Sequence, residues 1–145
     1  MKVKDILTTK SSAVITATPN FPLHKASQLL AEHNIGVLVV VDDSEHPVGI
    51  ISERDIVRDF ANNGDGMFSN VVGDVMTKDI ITVSPDDELQ NVSSIMTQKR
   101  IRHLPVLKGK NLIGMVSIGD IVKAQLDYFE HEAHTLRHYV SGSYG

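Results

Sequence analysis

The sequence predicts a mixed α/β fold (α+β) built from two copies of one unit, and three observations support this prediction. The chain has 145 residues, of which 41% are hydrophobic and 22% are charged, a balance typical of compact globular proteins. Short segments of its first half return in the same order in its second half. Within each copy, the spacing of apolar residues alternates between that of a strand and that of a helix. We therefore expect two pseudo-twofold-related β-α-β-β-α units packed sheet to sheet, with a C-terminal helical extension.

The repeat is carried by three pairs of matching segments, which are Val3–Thr8 with Val72–Thr77, Ile15–Pro19 with Ile81–Pro85, and Gly49–Arg58 with Gly114–Lys123. Self-similarity at a nearly constant period indicates a repeated structural unit. We therefore place a first repeat at residues 1–62, a linker at 63–71, a second repeat at 72–125 and a helical tail at 126–145. Helices on one face of each sheet leave its other face bare, and we expect the other copy to cover it.

Each repeat begins with a short helical turn and an opening strand. In the first repeat the strand candidate is Ile15–Thr18, and Pro19 ends it because proline has no amide hydrogen to donate to a ladder. A helix follows, since apolar residues then recur at helical spacing in both copies. These residues are Leu23, Ala26, Leu29 and Leu30 in the first repeat and Leu89, Val92, Ile95 and Met96 in the second.

Two β-branched apolar runs and a second helix complete each repeat. The runs are Ile35–Val41 and Val48–Ile51 in the first repeat, and Ile101–Leu107 and Leu112–Val116 in the second. Short polar turns join the two runs of each pair, as in a hairpin. The second helix begins at Glu53 in one copy and at Ile118 in the other.

Composition and charge exclude several classes of protein. With 14 basic and 18 acidic residues, the net charge is −4, and no cluster of Lys and Arg could follow a nucleic-acid backbone. The absence of cysteine removes thiol catalysis and Cys-ligated zinc. The longest apolar run, Val37–Val41, is too short to cross a membrane, and the N-terminus lacks the apolar stretch of a secretory signal. We expect a cytoplasmic protein without nucleic-acid or membrane partners.

The doubled unit, with a Gly-apolar-apolar-Ser-x-x-Asp-Ile-Val segment closing each copy, resembles the tandem CBS domain, named for cystathionine beta-synthase and often called a Bateman module. The resemblance covers about residues 1–125. It implies a non-catalytic sensor that binds an adenosine nucleotide or related ligand in the clefts between its repeats. The candidate ligands are AMP, ADP, ATP, NAD and S-adenosylmethionine, and no cofactor is required. The resemblance also implies a homodimer that signals to a separate, unknown regulated protein.

Ser52 and Asp55, with Ser117 and Asp120, are the leading candidates for ligand binding. A carboxylate can accept hydrogen bonds from both hydroxyls of a ribose, and a Ser hydroxyl can donate to the sugar or to a phosphate. A helix N-terminus also favours an anion. The same spacing is close to that of a capping box, in which Ser and the acidic residue stabilise the start of the helix. The two roles are compatible, and recurrence in both repeats favours ribose binding by the Asp residues.

The resemblance assigns the remaining contacts. Arg102 and His103 are expected to contact phosphate, and Arg54 could supply a cation to the pocket of the first repeat. The alternative for Arg102 is a solvated charge at a helix end. Thr16 and Thr82 lie where family members contact the adenine edge, mainly through backbone groups, and a solvent-facing Thr is the alternative. We group Asp120 and Ser117 with Thr16, Ile35 and Gly36, and Asp55 and Ser52 with Thr82, Ile101, Arg102 and His103.

The tail is predicted to continue the last helix. An apolar stripe at spacings of three and four residues supports this, and its members are Leu126, Phe129, Ala133, Leu136 and Val140. We expect the stripe to pack in a homodimer. The same helix carries His131, His134 and His138, but no acidic third ligand is placed beside them, so no metal site is expected.

Two other classes of function remain as alternatives. One is a structural or adaptor module that dimerises to hold a partner without a physiological ligand. The other is an enzyme, which is the weakest class because the sequence has no nucleophile–base pair, P-loop or dinucleotide Gly-x-Gly-x-x-Gly motif.

Overall fold

The computed structural model of the chain describes residues 1–7 and 14–144, with side chains described as far as residue 139. Thr8, the last residue of the first matching segment, and the side chain of Val140 in the tail stripe therefore lie outside the described residues. The helices and strands, in chain order, are α1 (Val3–Leu7), β1 (Thr16–Ala17), α2 (Leu23–His33), β2 (Val37–Val41), β3 (Pro47–Ser52), α3 (Glu53–Asn63), a 3-10 helix (Gly64–Ser69), α4 (Val72–Val75), α5 (Leu89–Lys99), β4 (His103–Lys108), β5 (Asn111–Ser117) and α6 (Ile118–Tyr144).

These elements form a mixed α/β fold, as predicted, with the strands in two sheets. The chain divides into two compact units. The first unit contains α1, α5 and α6, and the second contains α2 to α4, β1 to β3 and most of β4 and β5. Neither unit is one repeat of the sequence, because each combines segments from both repeats.

The first sheet has the order β1-β2-β3. β1 pairs with β2 in parallel, with Thr16 opposite Val39, and β2 pairs with β3 antiparallel, with Val37 opposite Ser52. β2 is a continuous apolar run, typical of a strand buried on both faces, and Val39 is fully buried. This register places the end of β3, and therefore Ser52, beside the start of β2.

The core of the second unit joins side chains of all three strands to those of the surrounding helices. Its buried members are Ala17, Leu23, Ala26, Leu30, Leu38, Val40, Ile51, Ile56, Met67 and Val72. Met67 belongs to the 3-10 helix, so the segment placed at residues 63–71 as a linker supplies a buried core side chain.

The second sheet differs from the prediction that both repeats open with a strand. It contains β4 and β5, and the segment Ile81–Ser84 contributes only one parallel bridge, between Val83 and Val106. Val83 donates to the Pro105 carbonyl at 3.0 Å and accepts from the Leu107 amide at 2.8 Å. Extending this ladder in either direction needs the amide of residue 85 or of residue 105, and both residues are prolines. Two missing donors therefore prevent a second opening strand.

The short helix at the start of each repeat is bound to the other repeat. In the second unit, the amides of Val72 and Gly73 in α4 donate to the carbonyls of Phe21 and Pro19, both at 2.8 Å. In the first unit, the Val3 amide of α1 donates to the Asp87 carbonyl at 2.9 Å. Val3 and Val72 are both fully buried. The repeats have therefore exchanged their leading helices.

The last helix is continuous from Ile118 to Tyr144, as predicted from the tail stripe. Its first turn includes Ile121, which is fully buried, and α6 packs on α5 and α1. Across the described residues, no helix combines the length and the apolar character needed to span a membrane.

Candidate functional site

Ser52 and Asp55 meet at the junction of β3 and α3. Ser52 caps α3, and its Oγ accepts from the Asp55 amide at 3.2 Å. In return, Asp55 Oδ2 accepts from the Ser52 amide at 2.9 Å and from the Ser52 hydroxyl at 3.0 Å. This is a complete capping box, which stabilises the helix start by satisfying amides that have no partner within the helix.

The second repeat builds the same junction between β5 and α6. Ser117 Oγ accepts from the Asp120 amide at 3.0 Å, and Asp120 Oδ2 accepts from the Ser117 amide at 3.0 Å. The capping role considered for these residues is therefore present in both repeats. Both Asp and both Ser side chains are half-buried, so they remain partly accessible to a ligand.

The capping box occupies only one of the two carboxylate oxygens of Asp55. Within the described part of the chain, Oδ2 accepts both hydrogen bonds and none reaches Oδ1. An ionised carboxylate has about four acceptor positions, so capping leaves capacity for further donors. The geometry thus permits capping and ribose binding by the same side chain.

Two matching turns lead the chain towards the two capping boxes. One connects α2 to β2, and the other connects α5 to β4. Asn34 and Arg100 have left-handed backbone conformations, with φ of 53° and 56°, and end α2 and α5. The amide of Ile35 then donates to the Leu30 carbonyl, and that of Ile101 to the Met96 carbonyl, both at 3.0 Å. These six-to-one bonds are those of the Schellman motif.

After these turns, Gly36 lies beside the first residue of α3, and Arg102 lies beside the first residue of α6. The Glu53 amide donates to the Gly36 carbonyl at 2.9 Å, and the Ile118 amide donates to the Arg102 carbonyl at 2.9 Å. The hydrogen bonds therefore group Gly36 with the Ser52–Asp55 motif and Arg102 with the Ser117–Asp120 motif. These backbone hydrogen bonds lie within each repeat, and the grouping of ligand contacts across the repeats stays a prediction.

The other predicted site residues lie on or beside the strands. Thr16 lies on β1, in the same sheet as Ser52, and its side chain is exposed. Thr82 is also exposed and precedes the single-bridge residue Val83. His103 is the half-buried first residue of β4, directly after Arg102.

The two junctions carry their cations on different elements. At the start of α3 the cationic residue is Arg54, in the helix itself, and the residue before β2 is Gly36. At the start of α6 the helix has Ile118 and Gly119 instead, and the cationic residue is Arg102, before β4. The backbone amide of Glu53, which contacts the Gly36 carbonyl, was not among the predicted site groups.

The histidines of α6 do not form a metal site within the described residues. The rings of His134 and His138 stack with centroids 6.5 Å apart, but no group of three or more His, Asp and Glu in the described ranges could hold a metal ion. What the two junctions offer is hydrogen bonding at a helix N-terminus, which suits recognition of a polar or anionic ligand.

Comparisons with known proteins point to one family of domains. The family model described as CBS domain matches residues 3–62 and 72–127. The CBS domain-containing protein CBSX3, mitochondrial, of Arabidopsis thaliana is 37% identical over 98% of this chain and 73% of that protein.

Two solved structures of similar fold contain bound ligands. The CBS domain pair of protein MJ0100, in complex with 5′-methylthioadenosine and S-adenosyl-L-methionine, is 31% identical with a TM-score of 0.78, covering 88% of this chain and 98% of that one. CBSX2 in complex with AMP is 28% identical with a TM-score of 0.77, covering 88% of this chain and 97% of that one. With two matched domains covering most of its length, the chain belongs to the CBS domain family as a tandem CBS protein.

Proposed function

We propose that this protein is a regulatory module that binds an adenosine-containing ligand at its two Ser–Asp junctions, with the ribose on Asp55 and on Asp120. The observation that carries the proposal is the Asp55 carboxylate, whose Oδ2 closes the capping box while Oδ1 keeps its acceptor capacity. Similar CBS domain structures contain AMP, S-adenosyl-L-methionine or 5′-methylthioadenosine, all of which carry an adenosyl group.

The neighbouring residues would complete each site. We propose that the hydroxyls of Ser52 and Ser117 donate to the sugar or a phosphate, and that Arg54, Arg102 and His103 neutralise phosphate. The adenine would lie against Ile35 or Ile101, whose apolar side chains are half-buried at the junctions. Backbone groups of Gly36, Thr16 and Thr82 would contact the adenine edge.

We also propose that the protein is not an enzyme, that it forms a homodimer, and that it signals its ligand state to a separate protein. We propose a cytoplasmic location, and because the similar protein CBSX3 is named as mitochondrial, the mitochondrion is the alternative location to test. Fractionation of cells that express the full chain distinguishes the two compartments.

A thermal-shift panel of AMP, ADP, ATP, NAD and S-adenosylmethionine tests the proposed ligand class. A ligand at a hundred times its Kd adds about 2.7 kcal/mol of stability, which raises the midpoint of a chain of this size by about 5 to 11 °C. At least one adenosyl ligand should give such a rise, and guanine and pyrimidine nucleotides should give less. Ligand-free protein that responds to no adenosyl compound would favour the adaptor module.

Asp55→Asn separates ribose binding from capping. The Asn side-chain oxygen can still accept from the Ser52 amide, but its NH₂ group replaces the other acceptor and the charge is lost. If both aspartates bind ribose, Asp55→Asn with Asp120→Asn should weaken binding at least about tenfold, since each bond to a charged group contributes about 1.5 to 3 kcal/mol. The variant should also lose the preference of the wild type for the ribonucleotide over its 2′-deoxy form.

Asp74→Asn provides the matched control. Asp74 Oδ2 accepts from the Val71 amide at 2.9 Å at the start of α4, the same backbone contact that Asp55 makes with Ser52. Calorimetry should therefore show unchanged ligand affinity for Asp74→Asn. Equal affinity of the wild type and the Asp55/Asp120 double variant would assign both aspartates to capping alone.

A further inference from the structure

One side of α6 carries large apolar side chains that no described part of the chain covers. The start of the helix is anchored, because Ile121 is fully buried. Beyond it, Val122, Leu126, Phe129 and Leu136 are 47%, 56%, 63% and 65% exposed. A contiguous apolar surface of this kind is typical of a binding face, because covering it removes apolar area from water.

The spacing of these residues is that of a coiled coil. Val122, Leu126, Phe129, Ala133 and Leu136 alternate at steps of four and three residues, and we call these five the α6 seam. In heptad terms, Leu126 and Ala133 occupy position a and the other three occupy position d. A stripe with a period of 3.5 residues keeps facing one partner helix only if the two helices supercoil, since a straight helix has 3.6 residues per turn.

Two shallow grooves lie along the α6 seam. One, of about 450 Å³, is lined by Val122, Leu126 and neighbouring residues, and the other, of about 750 Å³, by Phe129, Ala133, Leu136 and neighbours. In a coiled coil, a side chain of one helix inserts into a hole between four residues of the facing helix. The small side chain of Ala133 provides room for such an insertion.

The charged residues beside the seam complement those of a parallel second copy. In a parallel, in-register pair, position g of one helix faces position e of the next heptad on the other. This rule places Glu132 opposite Arg137 of the second copy, and twofold symmetry makes the attractive pair occur twice. It also places Gln125 opposite Glu130, a pair that can share a hydrogen bond.

An antiparallel pair that sets Leu126 opposite Leu136 has the opposite electrostatics. There, positions e face each other and positions g face each other, so Glu130 and Glu132 would each lie opposite their own copies. Lys123 would also lie opposite Arg137. Like charges at these positions disfavour this register. The other antiparallel register sets Leu126 opposite Phe129, and it leaves Leu136 opposite Gly119, whereas the parallel, in-register pair covers all five residues of the seam.

We propose that the α6 seam binds the α6 seam of a second copy of this chain as a parallel, in-register coiled coil. The inference rests on the homodimer in the proposed function and specifies its contact surface, orientation and flanking ion pairs. It is independent of the adenosine ligand.

Charges placed in the seam test the surface. Leu136→Asp and Phe129→Asp should each raise the dimer dissociation constant at least about 100-fold in sedimentation equilibrium, because an unpaired carboxylate would be buried in the contact. Both side chains are exposed in the single chain, so circular dichroism and the thermal midpoint of the monomer should change little. His138→Asp, on the opposite face of the same helix, is the matched control and should leave the dimer intact.

A charge exchange tests the flanking pairs. Glu132→Arg alone and Arg137→Glu alone should each weaken the dimer about 3- to 30-fold, since each replaces two attractive pairs with repulsive ones. The double variant should recover the wild-type constant. Double-variant affinity no better than that of the single variants would contradict the predicted Glu132–Arg137 pairing.

The natural absence of cysteine allows orientation to be tested directly. Ala133→Cys adds a single thiol at a seam position that faces its own copy only in the parallel, in-register pair, where it should form an intermolecular disulfide on mild oxidation. His138→Cys should not. Failure of Ala133→Cys to cross-link a demonstrated dimer would overturn the parallel register.

The outcomes also separate this inference from the proposed function. A dimer that persists in Leu136→Asp overturns the seam but leaves the proposed homodimer, whereas a monomeric wild type overturns both. Because ligand binding is measured separately, neither result changes the test of the Ser–Asp junctions.

Discussion

The amide of Val72 donates to the carbonyl of Phe21 at 2.8 Å, so the helix that opens the second repeat is bound to the first. The Val72 side chain is fully buried in the core of the second unit. In the first unit, Val3 makes the corresponding contact, with the Asp87 carbonyl. A compact unit therefore needs segments from both repeats, and we expect neither repeat to reach full stability alone.

Truncating Val72 should show how strongly this exchange stabilises the fold. Val72→Ala removes fully buried methyl groups and should lower the free energy of unfolding by about 1.5 to 3 kcal/mol in urea denaturation. Val57→Ala makes the same change at a side chain that is 65% exposed and should cost less than about 0.5 kcal/mol. Similar losses in the two variants would mean that α4 adds little to the stability of the core.

Restoring an amide at position 105 should lengthen the single-bridge ladder at Val83. In Pro105→Val, the new amide would be placed to donate to the Ile81 carbonyl, as the parallel ladder requires. Hydrogen exchange measured by NMR should find the amide at position 105 protected. Rapid exchange there would show that something other than the missing donor ends the ladder. The free energy of unfolding should change little, because a hydrogen bond adds about 0.5 to 1.5 kcal/mol while losing proline frees the unfolded chain.

The left-handed backbone at Arg100 should make glycine favourable there. A side chain at a φ of 56° costs about 1 to 2 kcal/mol, which glycine avoids, so Arg100→Gly should raise the free energy of unfolding by about 1 kcal/mol. Asn34→Gly is the matched control at φ 53°, and its gain should be smaller because Asn tolerates this region. Equal gains in chemical denaturation would contradict this account of the two helix ends.

The free energy of unfolding should depend on pH because of Asp42, which lies in the turn between β2 and β3. Its Oδ1 accepts from the Ser44 and His46 amides, both at 2.9 Å. The hydrogen bond from the His46 backbone, followed by that from Ser44, lowers the pKa of Asp42 from its usual 3.8. A lowered pKa in the folded state means that the stabilisation is present above pH 3.8 and is lost as the pH falls through the folded value.

Asp42→Asn tests that dependence because Asn keeps the accepting oxygen but does not titrate. The wild type should have the higher thermal midpoint at neutral pH, and the difference should disappear on acidification. A difference that stays constant at every pH would assign it to something other than the charge of Asp42.

The sequence by itself determined most of the elements and the residue types at the candidate site. Helical spacing predicted α2, α5 and the long continuation of α6, and the two β-branched runs of each repeat predicted the hairpins. These features depend on which neighbours are apolar, so local periodicity is sufficient to find them. The Ser–Asp motifs were found in the same way, because a capping box depends on residues only three positions apart.

Only the tertiary structure decided which distant segments meet. The exchange of α1 and α4, the grouping of Gly36 with Ser52 and of Arg102 with Ser117, and the single bridge at Val83 all depend on contacts between residues far apart in the chain. A repeat pattern is the same whether a leading helix packs on its own copy or on the other. The choice is made by the burial of Val3 and Val72 and by backbone hydrogen bonds that form only when the chain is folded.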